Sequence, residues 1–308
     1  MRIKKYIMRI DHWRQTAQIK LEHAGIESHE AHIELCFLIE ACLGLSRSQQ
    51  MIYPDRLVES TSLQKLENYL IRRCNREPLA HLLGEWSFWG LDFKVTPNTL
   101  IPRSDTEVLV EEVLAFLESS FYQNLELKTH WLCDVGTGTG CVGLALASEQ
   151  PTLNYHLLDI CPKALDVAQE NLTSLRTQQQ ITAHTQVELF VSDLLDVYRT
   201  DQLKIPQIIV SNPPYVKRSV QETLMPEVKD YDPDLALFDE AEDGLDLTRQ
   251  LVAQAAVLLP RHGAIFIEVG FDQTELTELI LEKYGFAQIK TRSDYGGNPR
   301  VVSGIKLG

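Results

Sequence analysis

Four short stretches of the chain carry residue types that do chemistry, and each follows an apolar run. The first is Asp134-Val-Gly-Thr-Gly-Thr-Gly140. Its three glycines remove side chains, so a ligand can lie directly on the backbone, and a helix opening at Cys141 would add unpaired amides. No Gly-Lys-Ser/Thr follows, so this is not a phosphate loop; nor is it the dinucleotide fingerprint, whose third glycine stands three residues after the second. Asp134 favours a cationic or amino-bearing ligand over a pyrophosphate. The second stretch, His156-Leu-Leu-Asp159, ends in an acid that can accept hydrogen bonds from both hydroxyls of a ribose. Its alternative is a cap for the next helix, with Pro162 in the first turn. The third, Val187-Glu-Leu-Phe-Val-Ser-Asp193-Leu194, offers an acceptor for an adenine amine and an aliphatic side chain to pack on the ring; a solvated loop acid is the alternative. The fourth, Asn212-Pro-Pro-Tyr215, follows Ile208-Ile-Val-Ser211. Asn-Pro by itself marks a turn. Here Asn212 offers a side-chain carbonyl and Pro213 a backbone carbonyl held by two rigid rings, and two fixed acceptors suit a substrate –NH₂. Tyr215 can then cover a planar group by stacking.

Elements must bring these four stretches together. From Trp131 onward the chain alternates strand, turn and helix, with strands expected at 131–135, 154–158, 187–191, 207–211, 263–269, 286–291 and 300–306. Helical segments are expected at 163–175, 244–259 and 273–283. The fold class is therefore α/β, a mostly parallel sheet with helices on both faces, which binds ligands beyond the carboxyl ends of its strands. Residues 9 to 75 read instead as four or five short helices in a small bundle, with apolar positions such as Ile19, Ala24, Leu35, Ile39, Leu66 and Leu70, broken at Gly44 and Pro54. Between the two, Trp86, Phe88, Trp89, Leu91, Phe93 and Val95 nearly alternate, which predicts a β-hairpin linker. Ser104-Asp-Thr-Glu107 fits a capping box for the helix that follows. The domains are then 1–80 for the helical bundle, 81–103 for the hairpin and 104–308 for the sheet.

Composition narrows the function. The 308 residues include 29 Lys plus Arg against 43 Asp plus Glu, a net charge of −14, with no Lys/Arg cluster in the helical domain. That argues against a protein gripping a phosphate backbone. The six cysteines form no Cys-x-x-Cys pair and none lies at zinc-like spacing from a histidine, so no metal site is expected. With no signal peptide and no membrane-length apolar run, the expectation is a soluble, cytoplasmic protein that starts at either Met1 or Met8. Residues 216–243 are rich in Asp and Glu and read as a partly mobile flap that docks a basic protein surface together with the helical domain, or as a solvated loop.

The four stretches together resemble the S-adenosylmethionine-dependent methyltransferases that act on planar –NH₂ groups. Within them the chain is similar to the release factor glutamine methyltransferases, on Glu77-Pro-Leu-Ala-His-Leu-Leu-Gly84, Leu100-Ile-Pro-Arg-Ser-Asp-Thr-Glu107, Glu242-Asp-Gly-Leu and Asp294-Tyr-Gly-Gly-Asn-Pro-Arg300. The resemblance runs from about Trp13 to the C-terminus. It implies a Rossmann-like, seven-stranded class I sheet, S-adenosyl-L-methionine as cofactor with S-adenosyl-L-homocysteine as product, and release factors as protein substrates of a monomer. It also implies that Gly136, Thr137, Gly138, Thr139, Gly140, Asp159, Asp193, Leu194 and Asn212 contact the cofactor, and that Asn212, Pro213, Pro214 and Tyr215 hold a glutamine side chain. Catalysis would rest on Asn212, Pro213 and Tyr215, with no metal and no Cys or Ser nucleophile. Arg103 would lie near the cofactor or form a salt bridge across the domain junction. Two positions depart from the pattern: Ser104 follows Pro-Arg where the family usually has Pro, and Leu194 stands where some members have Trp. Methylation of a large-subunit ribosomal protein, of adenine in nucleic acid, or a non-catalytic cofactor-binding role are the rival readings.

Overall fold

The computed structural model describes residues 8–124, 131–200 and 202–308. They fall into two compact units, one running to Gly84 and including Met225–Tyr231, the other made of Glu85–Leu224 and Asp232–Gly308.

The first unit is helical: Ile10–His23, Ser28–Leu43, Arg47–Ile52, Ser60–Cys74 and Leu79–Leu83. Leu35, Leu38, Leu66 and Leu70 are buried at three- and four-residue spacing, as an amphipathic face requires. The first helix differs from expectation: it buries Ile10, Trp13, Ala17 and Leu21, while Ile19 points outward, 54% exposed. The indole of Trp13 donates to Glu67 Oε1 at 2.8 Å, which fixes this face and leaves Ile19 off it. Gly44 ends the second helix in the left-handed conformation (φ 63°), a position that suits a residue without Cβ. Arg73, only 2% exposed, meets Glu34 and Glu227, each at 2.8 Å, and Arg76 meets the other oxygen of Glu227 at 2.6 Å. These pairs tie the short helix Pro226–Lys229 to this unit.

The second unit is built on a seven-stranded sheet. Its strands are β1 (Trp131–Val135), β2 (Asn154–Asp159), β3 (Val187–Val191), β4 (Ile208–Ser211), β5 (Ala264–Glu268), β6 (Phe286–Ser293) and β7 (Pro299–Lys306). Their order is β6-β7-β5-β4-β1-β2-β3, with only β7 antiparallel to its neighbours. The central strands β1, β4 and β5 are buried along their whole length, which is why they read as unbroken apolar runs rather than alternating ones. Successive strands step outward from β1 to β3 and then return to the other side of β1 at β4, so the order reverses between β1 and β4. Such a reversal opens a crevice at the carboxyl ends.

The aromatic stretch is a hairpin, Glu85–Phe88 against Leu91–Lys94, with Phe88 and Phe93 edge-on at 6.2 Å. Trp89 and Gly90 at its tip have φ of 55° and 69°, the pair of positive values a tight two-residue hairpin turn needs. Asn171 holds the hairpin by accepting from the Lys94 amide at 2.7 Å and donating to its carbonyl at 3.1 Å. The expected capping box at Ser104 does not form. Residues Ser104–Thr106 make a 3-10 turn with Thr106 already in helical conformation, and the Glu107 carboxylate accepts from the Trp89 amide at 2.9 Å instead.

Among the described residues, no helix is long and apolar enough to cross a membrane, and no cluster of three or more His, Cys, Asp or Glu side chains could hold a metal ion. All six cysteines are free.

Candidate active site

The carboxyl ends of β1 to β4 share one edge of the sheet, and hydrogen bonds lock their turns together. Gly136 and Thr137 donate their amides to the Leu158 carbonyl of β2, both at 2.9 Å. The Gly138 amide donates to Asp159 Oδ2 at 2.8 Å, and the Ser192 amide after β3 donates to the Asp159 carbonyl at 3.0 Å. Ser211 at the end of β4 donates its hydroxyl to the Val135 carbonyl at 2.7 Å. The three turn glycines, 136, 138 and 140, have φ of 71°, 56° and 83°, a conformation glycine adopts without strain. A Cβ at Gly136 or Gly138 would meet nothing within 4 Å, so bare backbone faces open space there. Gly140 is different: a Cβ would come within 2.9 Å of Leu144 Cδ1. Its hydrogen is demanded by packing against its own helix.

Asp134 does not reach toward a ligand as its charge suggested. Its Oδ2 accepts from the Thr137 hydroxyl at 2.6 Å and the Gly143 amide at 3.0 Å, so the buried carboxylate braces the turn from beneath. Burial pushes its pKa up to about 6, the two hydrogen bonds offsetting only part of that. Thr137 is thereby turned inward, and Thr139 is buried as well. Asp159 is also raised by burial, against hydrogen bonds from the Cys161 and Gly138 amides. Its side chain bonds to Cys161 at 2.9 Å rather than capping the helix that begins at Pro162, whose start has no side-chain cap. Asp193 lies exposed beyond β3. Leu194 has φ of 49°, unusual for a branched residue, and packs against the cluster containing Val135, Leu158 and Leu195.

Asn212 follows β4 directly, and its Nδ2 donates to the Thr106 hydroxyl at 3.2 Å. The Tyr215 hydroxyl donates to Glu268 Oε1 at 3.4 Å, and its carbonyl accepts from Gln273 Nε2 at 3.0 Å, which fixes both ends of the residue. Burial holds the Tyr215 phenol well above its usual range. Arg103 pairs with the buried Asp232 at 2.6 Å, the salt-bridge alternative, but both residues belong to the sheet unit rather than to two domains. The Asp294 motif forms its own turn: Oδ1 accepts from the Gly296 and Asn298 amides, both at 2.9 Å, and Oδ2 pairs with Arg300 at 3.1 Å.

Thr106, Glu268 and Gln273 escaped the sequence reading. Glu268 left a trace, as the one acid ending the apolar strand Ala264-Ile-Phe-Ile. Thr106 was masked by the capping-box pattern, and Gln273 left no signal at all. Several acids of residues 216–243 are paired: Asp234 and Glu240 with Arg218, Asp243 with Arg249, Glu227 with Arg73 and Arg76. Three arginines of the helical unit, 72, 73 and 76, are likewise matched by Glu77, Glu34 and Glu227.

The chain is similar to known proteins. Residues 12–84 match the family model for the PrmC N-terminal domain, and residues 114–228 match the methyltransferase small domain. A release factor glutamine methyltransferase of Caulobacter vibrioides is 33% identical over 94% of this chain and 94% of its own. That of Vibrio cholerae is 36% identical, again over 94% of each chain. Among solved structures, the hMettl16 catalytic domain aligns with a TM-score of 0.51 at 11% identity, over 82% of this chain and 87% of that one, a likeness of fold alone.

Proposed function

The chain belongs to the release factor glutamine methyltransferase family, and from that premise we propose that it methylates the side-chain amide nitrogen of the glutamine in the Gly-Gly-Gln motif of release factors. The methyl donor is S-adenosyl-L-methionine, leaving S-adenosyl-L-homocysteine. The observation that carries this reading is the meeting of the open glycine turn and Asn212-Pro-Pro-Tyr215 at the β1/β4 reversal. The residues fit the cofactor: the uncovered backbone of Gly136 and Gly138 admits its close approach, and Asp159 keeps lone pairs for ribose hydroxyls. Thr137, Thr139 and Gly140 shape the turn, Leu194 offers an aliphatic face to the adenine with Asp193 beside it, and Asn212 borders both ligands.

When bound, the cofactor supplies a methyl on a cationic sulfonium that departs as a neutral thioether. The chain's own contribution is orientation. An amide nitrogen is a poor nucleophile because its lone pair is delocalised into the carbonyl. Asn212 Oδ1 and the Pro213 carbonyl accept its two N–H bonds, favouring a more pyramidal nitrogen with its lone pair turned to the methyl; as the N–C bond forms and the C–S bond breaks, one of the two N–H protons is released to solvent. Pro214 keeps the turn rigid and Tyr215 covers the amide plane. Such positioning can be worth about 7–11 kcal/mol.

The test is mass spectrometry of a release factor after incubation with the protein and S-adenosyl-L-methionine. One methyl on the Gly-Gly-Gln glutamine is expected; an unmodified tip beside a methylated ribosomal protein or adenine would keep the chemistry and overturn the substrate. Asn212→Ala should lower turnover by at least about 100-fold, far more than it weakens cofactor affinity. Near-normal turnover in that variant would remove Asn212 from the mechanism.

A further inference from the structure

We propose that Glu268 and Thr106 are positioning residues that decide which end of the Asn212 amide meets the substrate, an inference that rests on Asn212 being the substrate acceptor. An Asn side chain presents a carbonyl on one side and an NH₂ on the other, and only the carbonyl can accept from a glutamine –NH₂. Something must set that choice. Asn212 Nδ2 donates to Thr106 Oγ1 at 3.2 Å, and Thr106 is buried. A hydroxyl has one proton, so Thr106 accepts from Asn212 only while its own proton goes elsewhere. The acceptor assigned to it is Glu268, whose carboxylate the Thr106 hydroxyl helps to stabilise. Parallel pairing sets Ile267 beside Ser211, which brings Glu268 alongside Asn212 at the end of the adjacent strand. The Glu268 carboxylate is buried; its Oε1 accepts from Tyr215, and its Oε2 has no hydrogen-bond partner among the described residues.

An ionised Glu268 only accepts, so it draws the protons of both Thr106 and Tyr215 toward itself. Thr106 must then receive from Nδ2, and Oδ1 is left facing the substrate. A protonated Glu268 can donate to Thr106, whose hydroxyl then bonds the Asn212 carbonyl, and the amide turns its NH₂ to the substrate instead. The charged and titratable groups around Glu268 are Arg300 from β7, Asp105 from the turn before the helix Glu107–Glu118, Tyr215 after β4, and Cys141 at the helix start after β1. Burial dominates them and raises the Glu268 pKa to about 7, the Thr106 hydroxyl and the Arg300 charge offsetting part of the rise. The acid limb of turnover therefore falls near neutrality.

The experiment compares wild type, Glu268→Gln, Thr106→Ser and Thr106→Val on a Gly-Gly-Gln release factor, with cofactor affinity measured separately. Expected are a fall in kcat of about 10- to 100-fold for Glu268→Gln and Thr106→Val, rescue by Thr106→Ser, and unchanged cofactor affinity. The wild-type acid limb should vanish in Glu268→Gln. Independently of turnover, the Asn212 side-chain amide resonances should shift with pH near 7 in wild type and stay fixed in Glu268→Gln, the shift following the carboxyl value given above. Full kcat in Glu268→Gln, equal losses for Thr106→Ser and Thr106→Val, or amide resonances that ignore Glu268 would overturn the inference. A wild type that leaves the glutamine unmethylated while its Asn212 resonances still follow Glu268 would overturn the substrate reading and leave this orientation device standing.

Discussion

At the scale of single residues, the acids of the sheet edge do unequal work. Asp134 was expected to look outward, yet it braces the glycine turn through Thr137 and Gly143. Its role is readable in stability against pH. The ordinary carboxyl value is 3.8 and the folded value is about 6, so between them the folded chain holds more protons than the unfolded one. Stability from this group is then greatest in acid and declines as pH rises through that window. The unfolding free energies of wild type and Asp134→Asn from urea titrations, compared from pH 4 to pH 7.5, should diverge in favour of the variant by about 3 kcal/mol. A difference that stays flat would mean the buried carboxylate ionises without cost.

At the scale of elements, Arg73 is the instructive residue of the helical unit. It lies on the helix Ser60–Cys74 and joins the helix Ser28–Leu43 through Glu34 and the short helix Pro226–Lys229 through Glu227. Burial pushes the Glu34 pKa up despite Arg73, whereas at Glu227 the hydrogen bonds from Arg76 and Arg73 outweigh burial and lower it. Glu34 therefore depends on Arg73 more than Glu227 does. Arg73→Met should cost about 3–5 kcal/mol, because it strands a buried carboxylate, and Glu34→Gln beside it should restore part of that. Thermal unfolding of the two variants measures the difference; equal midpoints would mean that stranding the Glu34 carboxylate costs nothing.

At the scale of the whole molecule, the net charge of −14 sets how a protein substrate approaches. Many of the acids in 216–243 are spent on internal pairs, so docking of a basic surface would rest on the summed field more than on one patch. Raising ionic strength should then increase the KM for a release factor while leaving cofactor affinity alone, because direct cofactor contacts would lie at closer range than the screening length. A KM indifferent to salt would point to an apolar docking surface.

The glycine turn, the strand ends and Asn212-Pro-Pro-Tyr215 could be read from the chain alone because each is local. Apolar runs a few residues long, broken by glycine or proline, specify strand and turn without reference to the rest of the molecule. The seven strands accordingly appear where the periodicity places them, to within a residue or two at their ends. Which acids face a ligand and which are buried as braces was decided elsewhere. Asn212 meets Thr106 from 106 positions away, and Glu268 reaches Tyr215 across 53. The second meeting follows from β4 and β5 lying side by side, the first from the turn Ser104–Thr106 packing at the end of β4, and burial strips water from the carboxylates. Strand order and desolvation belong to the folded sheet, and no stretch of sequence carries them on its own.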